Sequence, residues 1–146
     1  LAGDAAYAEK AKRIAELCKD MTEVFAAESP ESLNLSAPGQ KVAFHAPCTL
    51  QHGQKIVGVA ERYLREAGFE LTMVADSHLC CGSAGTYSIT QPELSQSLLK
   101  NKVEALEAGR PDVIATANIG CHLHIETGAQ TPVKHWIELI DDVCNA

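Results

Sequence analysis

The stretch KVAFHA, residues 41–46, is the segment from which the fold can be predicted. It is a short apolar run that ends before Pro47, long enough for a buried strand and too short for a helix. Two further runs have the same character, ELTMV at 70–74 and DVIATA at 112–117. Helical periodicity occupies the intervals between them, at 52–67 and 91–108. This order predicts an α/β fold, a small and mostly parallel sheet of three or four strands with helices on its faces.

The two ends of the chain extend this prediction. Apolar residues recur at three- and four-residue steps from Asp4 to Glu28, which predicts one leading helix over 4–28. The turn-rich segment that follows, up to residue 40, predicts a connecting loop. Residues 131–134 predict a fourth strand at an edge of the sheet, because Pro132 cannot donate to a ladder, and residues 135–143 predict a closing helix. We expect a single domain over 1–146 with its α/β core at 41–146.

Composition and charge exclude several classes of protein. The six cysteines are about 4% of the 146 residues, below the 8–10% that marks a disulfide scaffold. A net charge of −7 has the wrong sign for a nucleic-acid partner. The chain has no apolar run long enough for a transmembrane segment and no visible secretory signal. We therefore expect a cytoplasmic protein, in which clustered cysteines more often bind metal or carry out redox chemistry than form structural disulfides.

Four cysteines lie just beyond the predicted strands. Cys48 follows the first strand, Cys80 and Cys81 follow the second, and Cys121 follows the third. Because the carboxyl ends of parallel strands meet at one edge of a sheet, we expect these thiols to converge. Thiolates are soft ligands that suit iron-sulfur clusters and zinc. The sequence therefore predicts a metal centre ligated by these four cysteines.

The residues around the vicinal pair bear on the kind of metal. Cys80 and Cys81 point in different directions and cannot both ligate one zinc comfortably, whereas two metals of a cluster could take one each. Glycines at 82 and 85 allow the backbone to approach the metal and to point N–H groups at the sulfurs. His124, three residues after Cys121 on the same helix face, is a further candidate metal ligand. Cys18 and Cys144 belong to no motif and are left outside the site.

These motifs resemble the cysteine-rich CCG domain, a family shared by heterodisulfide reductase B subunits and by iron-sulfur subunits of FAD-linked hydroxyacid dehydrogenases. The resemblance rests on HAPC at 45–48, LCCGSAGTY at 79–87, ANIGC at 117–121 and VKHWIE at 133–138. It spans roughly residues 4–143, nearly the whole chain. Within the family the motifs look most like the C-terminal part of iron-sulfur subunits of the glycolate oxidase (glycolate dehydrogenase) type.

The resemblance implies an iron-sulfur electron-transfer module whose cluster, of the 4Fe-4S type, is held by the four cysteines. It also implies that the chain is the C-terminal fragment of a longer subunit and is not catalytic alone. The implied partners are an N-terminal ferredoxin-like part of the same subunit and flavin-containing subunits of the same oxidoreductase complex. Electrons from glycolate would then pass toward a quinone-type acceptor, in a cytoplasmic complex held peripherally at the inner membrane by its partners.

One departure from the family keeps alternatives open. The heterodisulfide reductase pattern ends in Cys-x-x-Cys, whereas Cys121 is followed by His122, Leu123 and His124. A four-cysteine cluster, a cluster with a His ligand and a zinc ion are all compatible with these residues. The domain could also be a zinc-stabilised or metal-free docking domain, with its thiols empty in the isolated fragment. A third alternative is a thiol-disulfide redox domain, which the absence of a neighbouring Lys or Arg in the sequence disfavours.

Overall fold

The computed structural model describes residues 1–28 and 39–144, which contain a sheet of four parallel strands with helices on both faces. The spatial order of the strands is β2-β1-β3-β4, and every neighbouring pair is parallel. The strands are β1 (Lys41–His45), β2 (Glu70–Leu71), β3 (Val113–Thr116) and β4 (Val133–His135). The predicted α/β class is thus confirmed, and the strand that follows Pro132 lies at an edge of the sheet.

Three of the helices connect successive parallel strands. They are α3 (Val59–Glu66), α5 (Pro92–Glu107) and α6 (Ile119–Glu126). The other helices are α1 (Ala8–Leu17), α2 (Met21–Ala27), α4 (Tyr87–Thr90) and α7 (Trp136–Cys144), and a π-helical turn at Thr49–Gln54 follows β1. None of the helices in the described ranges is long and apolar enough to cross a membrane.

The single leading helix predicted over 4–28 is wrong, because the structure has two helices there. After α1 the backbone of Cys18 is extended, and Asp20 begins α2. The Asp20 carboxylate accepts a hydrogen bond from the Thr22 N–H at 2.9 Å, and the Glu23 carboxylate accepts one from the Asp20 N–H at 2.8 Å. This capping box starts a new helix within a segment whose apolar periodicity runs on. Periodicity alone therefore could not show the break.

Other predicted boundaries also shift. The helix predicted over 52–67 begins only at Val59, because Lys55 and Gly58, with φ of 58° and 80°, adopt left-handed conformations after the π-helical turn. Gly68 ends this helix at φ 95°, as expected for a glycine just past a helix. The strand predicted over 70–74 shortens to β2. Most of the loop predicted before β1 lies outside the described residues.

One face of the sheet is covered by α3 and α7 and is packed by aromatic and aliphatic side chains. Tyr63, Leu64 and Trp136 are fully buried there. The Phe25 ring of α2 packs edge-on against Tyr63 and Trp136, with ring centroids 4.9 and 5.0 Å apart. The Tyr63 hydroxyl also lies within hydrogen-bond distance of the backbone carbonyls of Phe25 and Glu28. Helix α2 therefore completes this apolar layer.

The opposite face is covered by α5 and α6 and is less uniformly apolar. Leu99 and Leu106 of α5 are buried against the sheet, but Ser95 and Lys102 of the same helix are buried as well. Leu94, whose spacing predicts a place on the apolar face of this helix, is 56% exposed. The buried stripe of α5 therefore includes two polar residues, and both contact the loop that leads into and carries the vicinal cysteines.

Candidate metal centre

The four predicted cysteines converge at the carboxyl edge of the sheet, on the side of α5 and α6. Cys48 lies at the start of the π-helical turn after β1, Cys80 and Cys81 lie in the loop after β2, and Cys121 lies in the first turn of α6. Cys81 is buried, and the other three are half-buried. All six cysteines are free thiols, and Cys18 and Cys144 are exposed.

The four thiols form two pairs. The side chain of Cys48 interacts with that of Cys80, and the side chain of Cys81 interacts with that of Cys121. The sulfurs of Cys81 and Cys121 and a ring nitrogen of His45 all lie within 4.8 Å of one another. The vicinal cysteines therefore turn toward different partners, which is the divergence that their adjacency predicts.

Hydrogen bonds between the thiols, together with burial, shift their pKa values. Hydrogen bonding from Cys121 lowers the pKa of Cys81 to about 4. The same interaction, together with burial, raises the pKa of Cys121 above its ordinary range. Burial and then the neighbouring Cys80 raise the pKa of Cys48. At neutral pH the site without a metal therefore keeps part of its protons, and a metal that binds all four sulfurs must displace them.

Gly82 fixes the loop that carries the vicinal cysteines. Its backbone is left-handed at φ 94°, and a Cβ atom there would collide with the backbone carbonyl oxygen of Ser95. Its N–H donates to the Cys80 sulfur at 3.3 Å, and its carbonyl accepts a hydrogen bond from the buried Ser95 hydroxyl at 2.8 Å. Gly85 also has a positive φ of 62°, but open space surrounds its Cβ position. Of these two glycines, only Gly82 is required by both its conformation and the space around it.

The start of α6 positions Cys121. The Asn118 side chain accepts hydrogen bonds from the N–H groups of Gly120 at 2.9 Å and Cys121 at 3.2 Å, as an N-cap does. A Cβ atom on Gly120 would lie 3.4 Å from the Ser83 hydroxyl oxygen, so this helix start packs against the loop of the vicinal cysteines. Asn118 is absent from the predicted site residues, although an Asn just before a helix is a recognisable start signal.

The predicted ligand His124 does not face the paired sulfurs. Its Nε2 lies 3.2 Å from the Ser95 hydroxyl oxygen. Because the one hydroxyl proton of Ser95 goes to the Gly82 carbonyl, the Nε2–H of His124 is the donor in this contact. His124 is also outside the set of donor atoms around Cys81 and Cys121. In this arrangement it supports the loop of the vicinal cysteines through Ser95.

His45, which lies outside the predicted ligand set, faces the sulfurs instead. It is the last residue of β1 and is 2% exposed. It lies close enough to Cys81 to lower the pKa of that thiol further, although the effect of Cys121 is larger. Neither ring nitrogen has a hydrogen-bond partner of regular geometry among the described residues.

Lys102 is a third residue that the predicted site lacks. It is 3% exposed, and its Nζ donates to the backbone carbonyls of Asp76 at 2.9 Å and Ser77 at 3.3 Å, in the loop before the vicinal cysteines. Burial lowers the pKa of Lys102, and the nearby cysteines oppose that shift. The fold thus supplies the cation that the neighbouring sequence lacks. The sequence does carry a signal for this buried cation, because Lys102 lies seven residues after Ser95, within the apolar stripe of α5.

These donors fit a soft metal centre. Four sulfurs come from three strand-end loops, a backbone N–H points at one of them, and a buried imidazole with unpartnered nitrogens lies beside two others. This is the donor chemistry of iron-sulfur and zinc sites. A cavity of about 310 Å³ between this loop and α5 is lined in part by Cys80 and Lys102.

Known proteins are similar to this chain over nearly its whole length. The chain is 50% identical over 141 residues to the glycolate oxidase iron-sulfur subunit of Escherichia coli (strain K12), which covers 97% of the chain and 34% of that protein. It is 28% identical over 149 residues to lactate utilization protein A of Geobacillus thermodenitrificans (strain NG80-2), which covers 95% of the chain and 61% of that protein. The chain therefore spans from about a third to about three fifths of these relatives. The sequence pattern of the CCG family, described as a cysteine-rich domain, matches residues 42–126, which include all four converging cysteines, and the chain belongs to this family.

Proposed function

We propose that this chain is an iron-sulfur electron-transfer module of an oxidoreductase complex, with its cluster held by Cys48, Cys80, Cys81 and Cys121. The observation that carries the proposal is the convergence of these thiols, as two pairs, from three separate strand-end loops. The similarity to a protein named as an iron-sulfur subunit supports it. Four thiolates are also the ligand set of a 4Fe-4S cluster, which is the cluster type we propose.

A bound cluster supplies one-electron chemistry, and the residues of the chain hold it and set its potential. The Gly82 N–H donates to a ligand sulfur, and buried Lys102 lies among the carbonyls of the adjoining loop. Both groups stabilise negative charge, which is greatest in the reduced state, so both favour a higher potential. The burial of Cys81 keeps water from one side of the centre.

The proposal extends to the complex as a whole. Electrons taken from glycolate by flavin-containing partner subunits would reach this domain through a ferredoxin-like part of its own subunit and continue toward a quinone-type acceptor. The name of the 50% identical relative supports glycolate as the electron source. A quinone acceptor requires proximity to a membrane, so we place the complex at the cytoplasmic side of the inner membrane, held there by partners.

Anaerobic reconstitution with iron and sulfide tests the proposal. We expect iron and acid-labile sulfide in equal amounts, with the absorption and EPR spectra of a cluster. Cys81→Ala and Cys121→Ala should lose the cluster, whereas Cys18→Ala and Cys144→Ala remove exposed thiols and should keep it. A wild-type chain that takes up no iron and sulfide, or site variants that take up as much as these controls, would refute it.

A mononuclear zinc site is a second candidate that one observation favours. With Zn–S near 2.3 Å and Zn–N near 2.0–2.1 Å, tetrahedral donors lie about 3.5–3.8 Å apart. The donor atoms of His45, Cys81 and Cys121 already lie within 4.8 Å of one another. The domain would then be a docking module for partner subunits, with the metal holding its loops. Stoichiometric zinc without labile sulfide in the purified chain would establish this candidate.

The geometry does not favour thiol-disulfide exchange. An attacking thiol needs both a lowered pKa and access to its substrate. The pKa of Cys81 is lowered, but this residue is only 1% exposed. Cys80 is more accessible, but its sulfur accepts the Gly82 N–H and interacts with Cys48. The vicinal pair therefore resembles a ligand pair more than a redox-active pair.

A further inference from the structure

We propose that His45 is a nitrogen ligand of the metal centre, beside Cys81 and Cys121, so that the centre has mixed sulfur and nitrogen ligation. The inference rests on the proposed function only in requiring that a metal binds at these thiols. In a four-iron cluster, which has one terminal ligand per iron, His45 would take the place of one of the four thiolates, and at a single ion it would bind together with Cys81 and Cys121.

The position of His45 places its ring at the site. The residue ends β1, three residues before Cys48, so one strand end supplies both side chains. A ring nitrogen lies within 4.8 Å of the Cys81 and Cys121 sulfurs. These two sulfurs come from the loop after β2 and from the first turn of α6, so three elements bring the donors together.

In the described part of the chain His45 is buried without a hydrogen-bond partner of regular geometry, and its ring interacts with the Cys81 thiol. It is 2% exposed, and neither ring nitrogen has a hydrogen-bond partner among the residues that the structure describes. Thr116, its register partner on β3, is fully buried with an equally unpartnered hydroxyl. Buried polar groups without partners are rare and cost free energy. Ligation of a metal by a neutral imidazole nitrogen removes that cost for one of the two ring nitrogens of His45.

The contrast with His124 shows which histidine is available. The Nε2 of His124 already donates to the Ser95 hydroxyl, whose own hydrogen bond to the Gly82 carbonyl holds the loop of the vicinal cysteines to α5. His124 therefore has a structural partner and lies outside the donor group, whereas His45 has no such partner and lies inside it. A neutral imidazole adds no negative charge, so its ligation raises the reduction potential relative to an all-thiolate centre.

The test uses the full chain reconstituted anaerobically with iron and sulfide and labelled with ¹⁵N-histidine. Pulsed EPR of the reduced centre should show a strongly coupled histidine nitrogen. That coupling should disappear in His45→Gln and persist in His124→Gln, the matched control. His45→Cys retains a ligand atom, so it should keep the iron, lose the nitrogen coupling and lower the midpoint potential. If the Gln variant does not fold, the Cys variant carries the test.

Two results would overturn the inference. One is a loaded wild-type chain that shows no strongly coupled histidine nitrogen, and the other is a coupling that survives in the His45 variants. If the wild-type chain takes up no iron and sulfide, the iron-sulfur proposal fails by itself, and cobalt(II) becomes the probe for His45. Replacing His45 with Gln should then weaken cobalt binding more than about tenfold and change its visible spectrum. Unchanged affinity and spectrum would also overturn it.

Discussion

Both faces of the sheet are covered by helices, but the side chains buried under those helices differ in their chemistry. Under α3 and α7 the buried layer is built from Tyr63, Leu64 and Trp136. Under α5 and α6 the aliphatic layer also includes Ser95 and Lys102, and it adjoins the site cysteines. Because buried polar groups cost free energy unless they are paired, the second face is the one organised around a site. The first face is thus packed mainly by aromatic and aliphatic side chains, and the second carries the groups of the candidate site.

The largest expected effect comes from the apolar face. Trp136→Ala removes a fully buried side chain and should lower the free energy of unfolding by about 3–5 kcal/mol. The metal content per folded chain should not change, because the site lies on the other face. Urea denaturation and metal analysis of the folded fraction check this. Leu123→Ala, at a 56% exposed position, is the control and should change stability by less than about 0.5 kcal/mol. Loss of metal from folded Trp136→Ala chains would contradict the separation of the two faces.

The next largest effect is expected from the loop of the vicinal cysteines, on the second face of the sheet. Gly82→Ala combines a positive φ of 94° with a collision against the Ser95 carbonyl, so we expect a loss of about 2–4 kcal/mol of stability together with loss of the metal. Gly85→Ala has a φ of 62° in open space and should cost about 1 kcal/mol while keeping the metal. Denaturation curves and metal content measure both variants. Equal effects would mean that the collision at Gly82 does not matter.

Lys102→Met tests the buried cation. Its removal leaves the carbonyls of Asp76 and Ser77 without their donor, so stability should fall by about 1–2 kcal/mol. The loss of positive charge near the cluster should also lower the midpoint potential by tens of millivolts. Redox titration followed by EPR measures that shift. Lys100→Met, on the same helix with a side chain that is 77% exposed, should leave the potential unchanged. A potential that moves equally in both variants would refute a specific role for Lys102.

A pH dependence of stability is expected in the metal-free chain. The pKa of Cys81 falls from 9.0 to about 4 on folding, mainly through Cys121, so the folded state favours the thiolate. The Cys81 thiolate therefore adds to the free energy of unfolding in full above pH 9.0, and this contribution is lost as the pH falls toward about 4. Denaturation at several pH values should show stability rising across this window. Cys81→Ala should flatten that rise, and Cys144→Ala should not. Parallel curves for the wild-type chain and Cys81→Ala would contradict the assignment.

Much of the framework could be predicted because its signals are local. Short apolar runs that end at Pro47 or precede Gly120 indicate strands, and Gly68 indicates the end of a helix. Parallel topology then brings the residues after each strand to one edge, which predicts the neighbourhood of the four thiols. The break at Asp20 is also a local signal, but the uninterrupted apolar period across it favours one helix.

The sequence by itself determined the α/β class, the parallel sheet and the neighbourhood of the four cysteines, since these depend on patterns within a few residues and on strand order. Only the tertiary structure decided which polar groups surround the thiols. In the folded chain His124 contacts Ser95, whereas His45 lies beside Cys81. Lys102 is buried and donates to the carbonyls of Asp76 and Ser77. These contacts join residues far apart in the chain, and each depends on how α5 and α6 pack on the sheet, which no local pattern specifies.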